Sequence, residues 1–218
     1  MGCGYSREYD FPSEEIALIT AQKGLQMDCN SCIVVSLSFQ EYSFAGTINH
    51  SQWQDLASKL ELRFANGPDG PDIEGFYAAF KQGELLETKP LLVASLMMSA
   101  GLPRQKLGLL CDLYTRDAEL IHQDTLRQIV ADMIDVALRK LPLLLGTVQP
   151  AVKKYLDRLQ AAEEVAQRKL VRKLIGVNEF DEDGCIQVQT LLDLCSKNPQ
   201  SLLFTPHGLR GYMAQLSA

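Results

Sequence analysis

Apolar positions recur at helical rather than alternating spacing through most of this chain. Residues 13–25 open with Ser13, a hydroxyl suited to capping a helix N-terminus. Glu14 and Glu15 follow in the first turn, where acids are favoured, and Ile16 and Ile19 continue the helical spacing. In residues 50–62 the side chains of Trp53, Leu56, Ala57, Leu60 and Leu62 share one helical face. The segment Ala-Asn-Gly-Pro-Asp-Gly-Pro-Asp, residues 65–72, then breaks the pattern. Residues 73–80, 91–99, 106–114 and 126–141 are further runs of helical period, and 152–173 spaces Val152, Tyr155, Leu156, Leu159, Val165 and Leu170 in the same way. Residues 32–40 are ambiguous, because their Val, Ile, Ser and Phe content suits a strand as well as a helix. Several amphipathic helices with no convincing alternating strand predict an all-α fold.

Composition narrows the function class. The chain has 218 residues, 46% of them hydrophobic, which is enough for one sizeable core or two small ones and far from a disordered composition. Its formal net charge of -6 argues against nonspecific nucleic-acid binding, which requires a concentrated basic surface. Basic residues do gather in 152–173, where Lys153, Lys154, Arg158, Arg168, Lys169, Arg172 and Lys173 outnumber Asp157, Glu163 and Glu164. That segment reads either as a helix resting on anionic headgroups or as an ordinary solvated face.

The six cysteines accompany no apolar secretory segment in the first fifteen residues, which points to a reducing compartment. Cys29 and Cys32 form a single CxxC, and a structural zinc site needs a second pair of ligands that the sequence does not supply. The apolar stretch 90–100 is too short to span a bilayer. There is no G-x-S-x-G, P-loop or HExxH pattern, and His50, His122 and His207 lie near no obvious nucleophile, so a non-enzymatic protein is expected.

The N-terminus carries a membrane signal. Gly2, exposed after removal of Met1, and Ser6 match the myristoylation pattern, and Cys3 stands beside the acceptor as a palmitoylation site. One myristoyl chain binds only marginally, so the second chain on Cys3 is what would make the anchor stable. Arg7 is followed at once by Glu8 and Asp10, so no polybasic patch substitutes for it. The pair resembles the Met-Gly-Cys start of dually acylated peripheral proteins, and it predicts residence on the cytoplasmic face of a membrane. The alternative is a frayed terminus with no such role.

Residues 179–190 order the rest. Carboxylates stand at positions 1, 3 and 5 of a twelve-residue loop (Glu179, Asp181, Asp183), with Gly184 at position 6, Ile186 at position 8 and Thr190 at position 12. Here the chain resembles the EF-hand superfamily, specifically the four-handed calcineurin B and neuronal calcium sensor group. Ile48, Leu86, Ile121 and Ile186 mark position 8 of four successive loops, 38, 35 and 65 residues apart, with the basic segment as the insertion in the last interval. Residues 106–114 resemble the family's incoming helix.

The resemblance implies four EF-hand-like helix-loop-helix units in two pairs behind an extra N-terminal helix. An acylated anchor would occupy 1–12, the first pair with its leading helix 13–100, and the second pair with an inserted basic helix 101–218. Its ligand set falls on Glu179, Asp181, Asp183, Cys185 and Thr190, as a weak or non-functional Ca²⁺ loop, because Thr190 replaces the bidentate glutamate. The same acids also read as an acidic turn capping two helices. Gln52 and Pro90 occupy the closing position of two other loops, and residues 115–120 are one residue short.

Three functional readings remain open. One is a membrane-tethered, largely calcium-independent adaptor that holds an amphipathic partner helix in a groove lined by Leu91, Met97, Met98, Leu109, Leu110 and Met133, each of which reads equally as core. Another is a calcium sensor working through 179–190. The last is the regulatory front portion of a larger TLDc-type protein, since acylated, EF-hand-like helical regions occur at the head of such proteins.

Overall fold

The structure is a computed structural model that describes residues 11–63, 65–66, 70–116, 118–175, 180–197 and 201–217. Gly2, Cys3 and Glu179 lie outside the described residues, and with them the expected anchor and the first position of the acidic loop. Helix dominates, as the spacing of apolar residues predicts: eleven α-helices and five short strands occur among the described residues.

The first helix, α1 (Ser13–Lys23), buries Glu15, Leu18 and Ala21. Its N-cap is Pro12 rather than Ser13, whose hydroxyl instead bonds the Glu14 carboxylate. Pro12 carries extended dihedrals that lead the chain into the helix, and Ser13 is already its first turn.

The ambiguous segment 32–40 is helical, within α2 (Cys32–Tyr42). Two effects override its β-rich composition. The Ser31 hydroxyl accepts the Val34 N–H at 3.3 Å and caps the helix start, and Cys32, Val35 and Phe39 are fully buried on one side. Next come β1 (Thr47–Ile48) and α3 (His50–Lys59), which begins with a reciprocal box: Asn49 Oδ1 accepts the Gln52 N–H and Gln52 Oε1 accepts the Asn49 N–H, both at 2.9 Å. Short α4 (Ile73–Ala78) then leads into the hairpin β2 (Lys81–Gln82) and β3 (Leu85–Glu87), turned at Gly83 with φ +65°, and on to α5 (Thr88–Met98).

The second half repeats the arrangement. Helix α6 (Pro103–Thr115) leads through β4 (Leu120–His122) to α7 (Gln123–Asp135), which continues as a π-helical turn at Val136–Lys140 and a 3₁₀ turn at Leu141–Leu145. The segment 152–173 is two helices, α8 (Pro150–Ala161) and α9 (Glu163–Ile175), instead of the single inserted basic helix expected. The break at Ala162 shifts the helical phase, so Val165 is 40% exposed rather than on the buried face. Strand β5 (Cys185–Gln187), α10 (Val188–Lys197) and α11 (Pro206–Leu216) complete the chain.

The strands form two small sheets. β1 pairs antiparallel with β3, placing Ile48 opposite Leu86, and β3 also pairs with β2. β4 pairs antiparallel with β5, placing Ile121 opposite Ile186. The four positions singled out by spacing therefore meet two by two, and all four are buried. One continuous apolar core runs beneath both sheets from Leu18 on α1 to Met213 on α11.

A buried ionic cluster closes the two ends of this core together. Arg210 on α11 and Glu15 on α1 are both essentially inaccessible, and the guanidinium meets the carboxylate through Nε and Nη2 at 2.7–3.0 Å. Arg210 Nη1 also donates to the Ala137 carbonyl at 2.9 Å, inside the π-helical turn, and the Tyr155 hydroxyl on α8 donates to Glu15 at 3.1 Å. With its side-chain amide turned, Gln22 accepts from the same guanidinium at 2.8 Å.

Candidate functional site

The acidic loop is held by its own backbone. Asp181 Oδ1 accepts the N–H groups of Asp183 (3.1 Å) and Cys185 (2.6 Å), Gly184 N–H donates to the Asp181 carbonyl, and Asp181 N–H donates to the Cys185 carbonyl. Gly184 sits at φ +74°, and a Cβ there would stand 3.0 Å from His122 Nε2, so glycine is required for both conformation and space. Thr190 lies in the first turn of α10, which follows β5 directly, and Cys185 belongs to β5 with its side chain half-buried.

As a calcium shell this donor set is short. Asp181 and Asp183 bring carboxylates and Thr190 a single hydroxyl, against the six to eight oxygens the ion takes, and one Asp181 oxygen already serves two amides. The loop ties β4 to β5: Gln123 N–H donates to the Gly184 carbonyl at 2.8 Å and Val188 N–H to the Glu119 carbonyl at 2.9 Å.

The expected groove residues do not line one cleft. Leu91, Met97, Leu110 and Met133 are buried in the core, because they occupy the inward faces of α5, α6 and α7. Met97 and Met98 border a small cavity of about 140 Å³ with Ile19 on α1 and Pro206 and His207 on α11. Leu109 alone of the six borders the larger opening.

That opening is a cleft of about 460 Å³ between α2 and α6, with the start of α5 at its floor. Ser36, Phe39, Gln40 and Ser43 line one wall, Leu109, Asp112, Leu113 and Arg116 the other, and Thr88 and Leu92 the floor. Thr88 is 7% exposed, and its Oγ1 is buried without a hydrogen-bond partner, an uncommon condition for a buried hydroxyl. Ile33 and Leu37 stand one turn apart on α2 in line with Gln40, and both are exposed, Leu37 to 59%. Exposed Val34 and Phe44 extend the apolar surface along the same helix and just beyond its end.

Sequence reading missed this row because 32–40 offers apolar residues on both sides of the helix; only the contact with α5 decides which side is core. The usable signal was the excess itself, since a helix with an apolar residue all round needs a partner on both faces.

The cysteines are unpaired among the described residues. Burial pushes the Cys111 thiol up to about 12, so it is chemically quiet at neutral pH. Cys29 is exposed and Cys32 buried at the start of α2, where a Cβ on Gly101 would meet its sulfur at 2.4 Å. Among the described residues no three His, Cys, Asp or Glu side chains converge as a metal cluster, and no helix is long and apolar enough to cross a membrane. No known family model matches the chain, and no curated protein sequence does.

Proposed function

We propose that this chain is a non-catalytic, EF-hand-like adaptor tethered to the cytoplasmic face of a membrane, and that it holds an amphipathic segment of a partner protein in the cleft between α2 and α6 without a calcium switch. The EF-hand-like reading rests on the order helix, strand, helix repeated around β1, β3, β4 and β5, and on the pairing of Ile48 with Leu86 and of Ile121 with Ile186. Two-by-two strand pairing between helices is how EF-hand loops are joined, and here each pairing sets one buried apolar residue opposite another.

The observation that carries the adaptor reading is the exposed apolar row on α2 beside a cleft whose far wall supplies Leu109 and Leu113. Grooves of this kind take an amphipathic helix through residues at i, i+3, i+4 and i+7. Arg116 at the cleft wall and the unpartnered Thr88 hydroxyl at its floor give a visiting segment polar groups to meet. The anchor on Gly2 and Cys3 stands on the sequence pattern alone.

The test is a photo-crosslinking residue placed at position 37 of the full, acylation-competent chain in cells, with Lys154 on α8 as the control position. Adducts at position 37 should map to a segment with helical apolar spacing, should persist in the presence of a calcium chelator, and should be lost on Leu109→Glu substitution. Equal labelling from position 154, or adducts that vanish with the chelator, would overturn the reading; the latter would favour a calcium sensor.

A further inference from the structure

The basic excess of 152–173 is unevenly placed in the fold. Arg168 and Arg172 stand one turn apart on α9 and face Arg127 and Gln123 on α7 across an open cleft of about 290 Å³, floored by Val171, Ile175 and Phe180. Arg168, Arg172 and Lys169 also surround a second depression beside the exposed Val165.

Among the described residues the neighbouring acids pair with Arg127 and Arg139 and leave Arg168 and Arg172 without a carboxylate. Asp124 pairs with Arg127 at 2.9 Å, and Glu163 is turned away to Arg139. Asp181, on the loop after Phe180, gives one carboxylate oxygen to its own amides. Arg168 Nε donates to the Glu164 backbone carbonyl, and neither Arg168 nor Arg172 has a carboxylate partner among the described residues. In a chain with a net charge of -6, two adjacent guanidiniums without a carboxylate partner among the described residues, facing a third that shares Asp124, stand out as an anion site.

We infer that the cleft between α7 and α9 binds a phosphate group, through the guanidiniums of Arg168 and Arg172 with Arg127 opposite. Guanidiniums match phosphate oxygens in bidentate geometry and are weakly hydrated, so they give up water at less cost than lysine would. The phosphate can belong to the headgroup of a membrane lipid or to a soluble phosphorylated molecule. The exposed Val165 beside the cluster suits the lipid source, because an interfacial helix sets apolar and basic side chains side by side. This inference does not depend on the adaptor reading or on acylation.

The experiment uses the full, non-acylated chain. Cosedimentation is measured with phosphatidylcholine vesicles carrying a phosphorylated inositol lipid, and calorimetry with the soluble inositol trisphosphate headgroup. Arg168→Gln/Arg172→Gln is compared with Lys59→Gln/Lys81→Gln, which removes the same charge from the N-terminal half, and Arg172→Gln alone serves as the milder variant. All are checked for unchanged thermal unfolding.

Vesicle binding that falls about thirtyfold in the α9 double variant, at roughly a factor of five per arginine, and stays level in the control supports the site. Binding of the soluble headgroup at equal strength, with the same loss in the variant, also supports it and assigns the source to a free phosphate. Absence of binding to both probes, or equal loss in the two double variants, would overturn it, the latter by reducing the effect to diffuse charge.

Discussion

Glu15 illustrates how one residue changes meaning between sequence and fold. Read along the chain, it is an acid in the first turn of a helix; in the structure it is sealed against Arg210, some 195 positions away, beneath Tyr155. A buried pair of this kind need not add net stability, but losing one partner leaves a charge without compensation. Arg210→Ala should therefore lower the free energy of unfolding by about 3–5 kcal/mol, measured by urea denaturation, whereas Glu15→Leu/Arg210→Met should recover most of that loss. Lys106 is the other buried charge among the described residues. Its ammonium donates to the carbonyls of Met97 (3.0 Å) and Phe204 (3.4 Å), and burial pushes it down to about 8. Between that value and the ordinary lysine range, the unfolded chain holds a proton that the folded chain has released. Stability contributed by this group consequently rises with pH across the window, by up to about 1.4 kcal/mol per pH unit. Denaturation midpoints of the wild type compared with Lys106→Met from pH 8 to 9.5 should converge or cross in that direction; a parallel pair of curves would contradict it.

At the scale of elements, the two small sheets join helices that contribute little backbone pairing of their own. Ile121 is fully buried opposite Ile186, so Ile121→Ala should cost about 2–4 kcal/mol. Hydrogen exchange should show faster amides at Gln123 and Val188, which donate across the β4–β5 pair, with Ile48 and Leu86 still protected. Much of this level was legible in the sequence. Apolar spacing located most of the helices, and the recurrence of Ile48, Leu86, Ile121 and Ile186 located every buried strand position that pairs across the two sheets. What spacing did not convey has physical causes. Residues 32–40 needed their contact with α5 to become a helix with an identifiable buried side. The phase break at Ala162 replaces no apolar residue by a polar one, so nothing in the pattern marks it. Leu91, Met97, Leu110 and Met133 read equally as groove or core, and packing made them core. Helix α11 is anchored by Pro206, Leu209 and Met213, and its defining residue, Arg210, is a charge that any solvent-facing reading would place outside.

The whole molecule joins a helical scaffold with two small sheets to an acidic loop beside the second of them. Gly184 makes the turn and Ile186 packs under the sheet, Asp181 gives one oxygen to its own amides, and the proposal holds that Thr190, with one hydroxyl in place of a glutamate, leaves an ion's coordination open. The proposal that the cleft between α2 and α6 is permanently open to a partner depends on that separation of architecture from ion. Calorimetric titration of Ca²⁺ into the purified, non-acylated chain tests it most directly, with Thr190→Glu titrated alongside. The expected result is no heat of binding at micromolar ion in the wild type and a gain of binding in the variant, whose restored glutamate adds two oxygens. Micromolar binding by the wild type, abolished by Asp181→Ala, would contradict a calcium-independent adaptor and make residues 179–190 a working sensor loop.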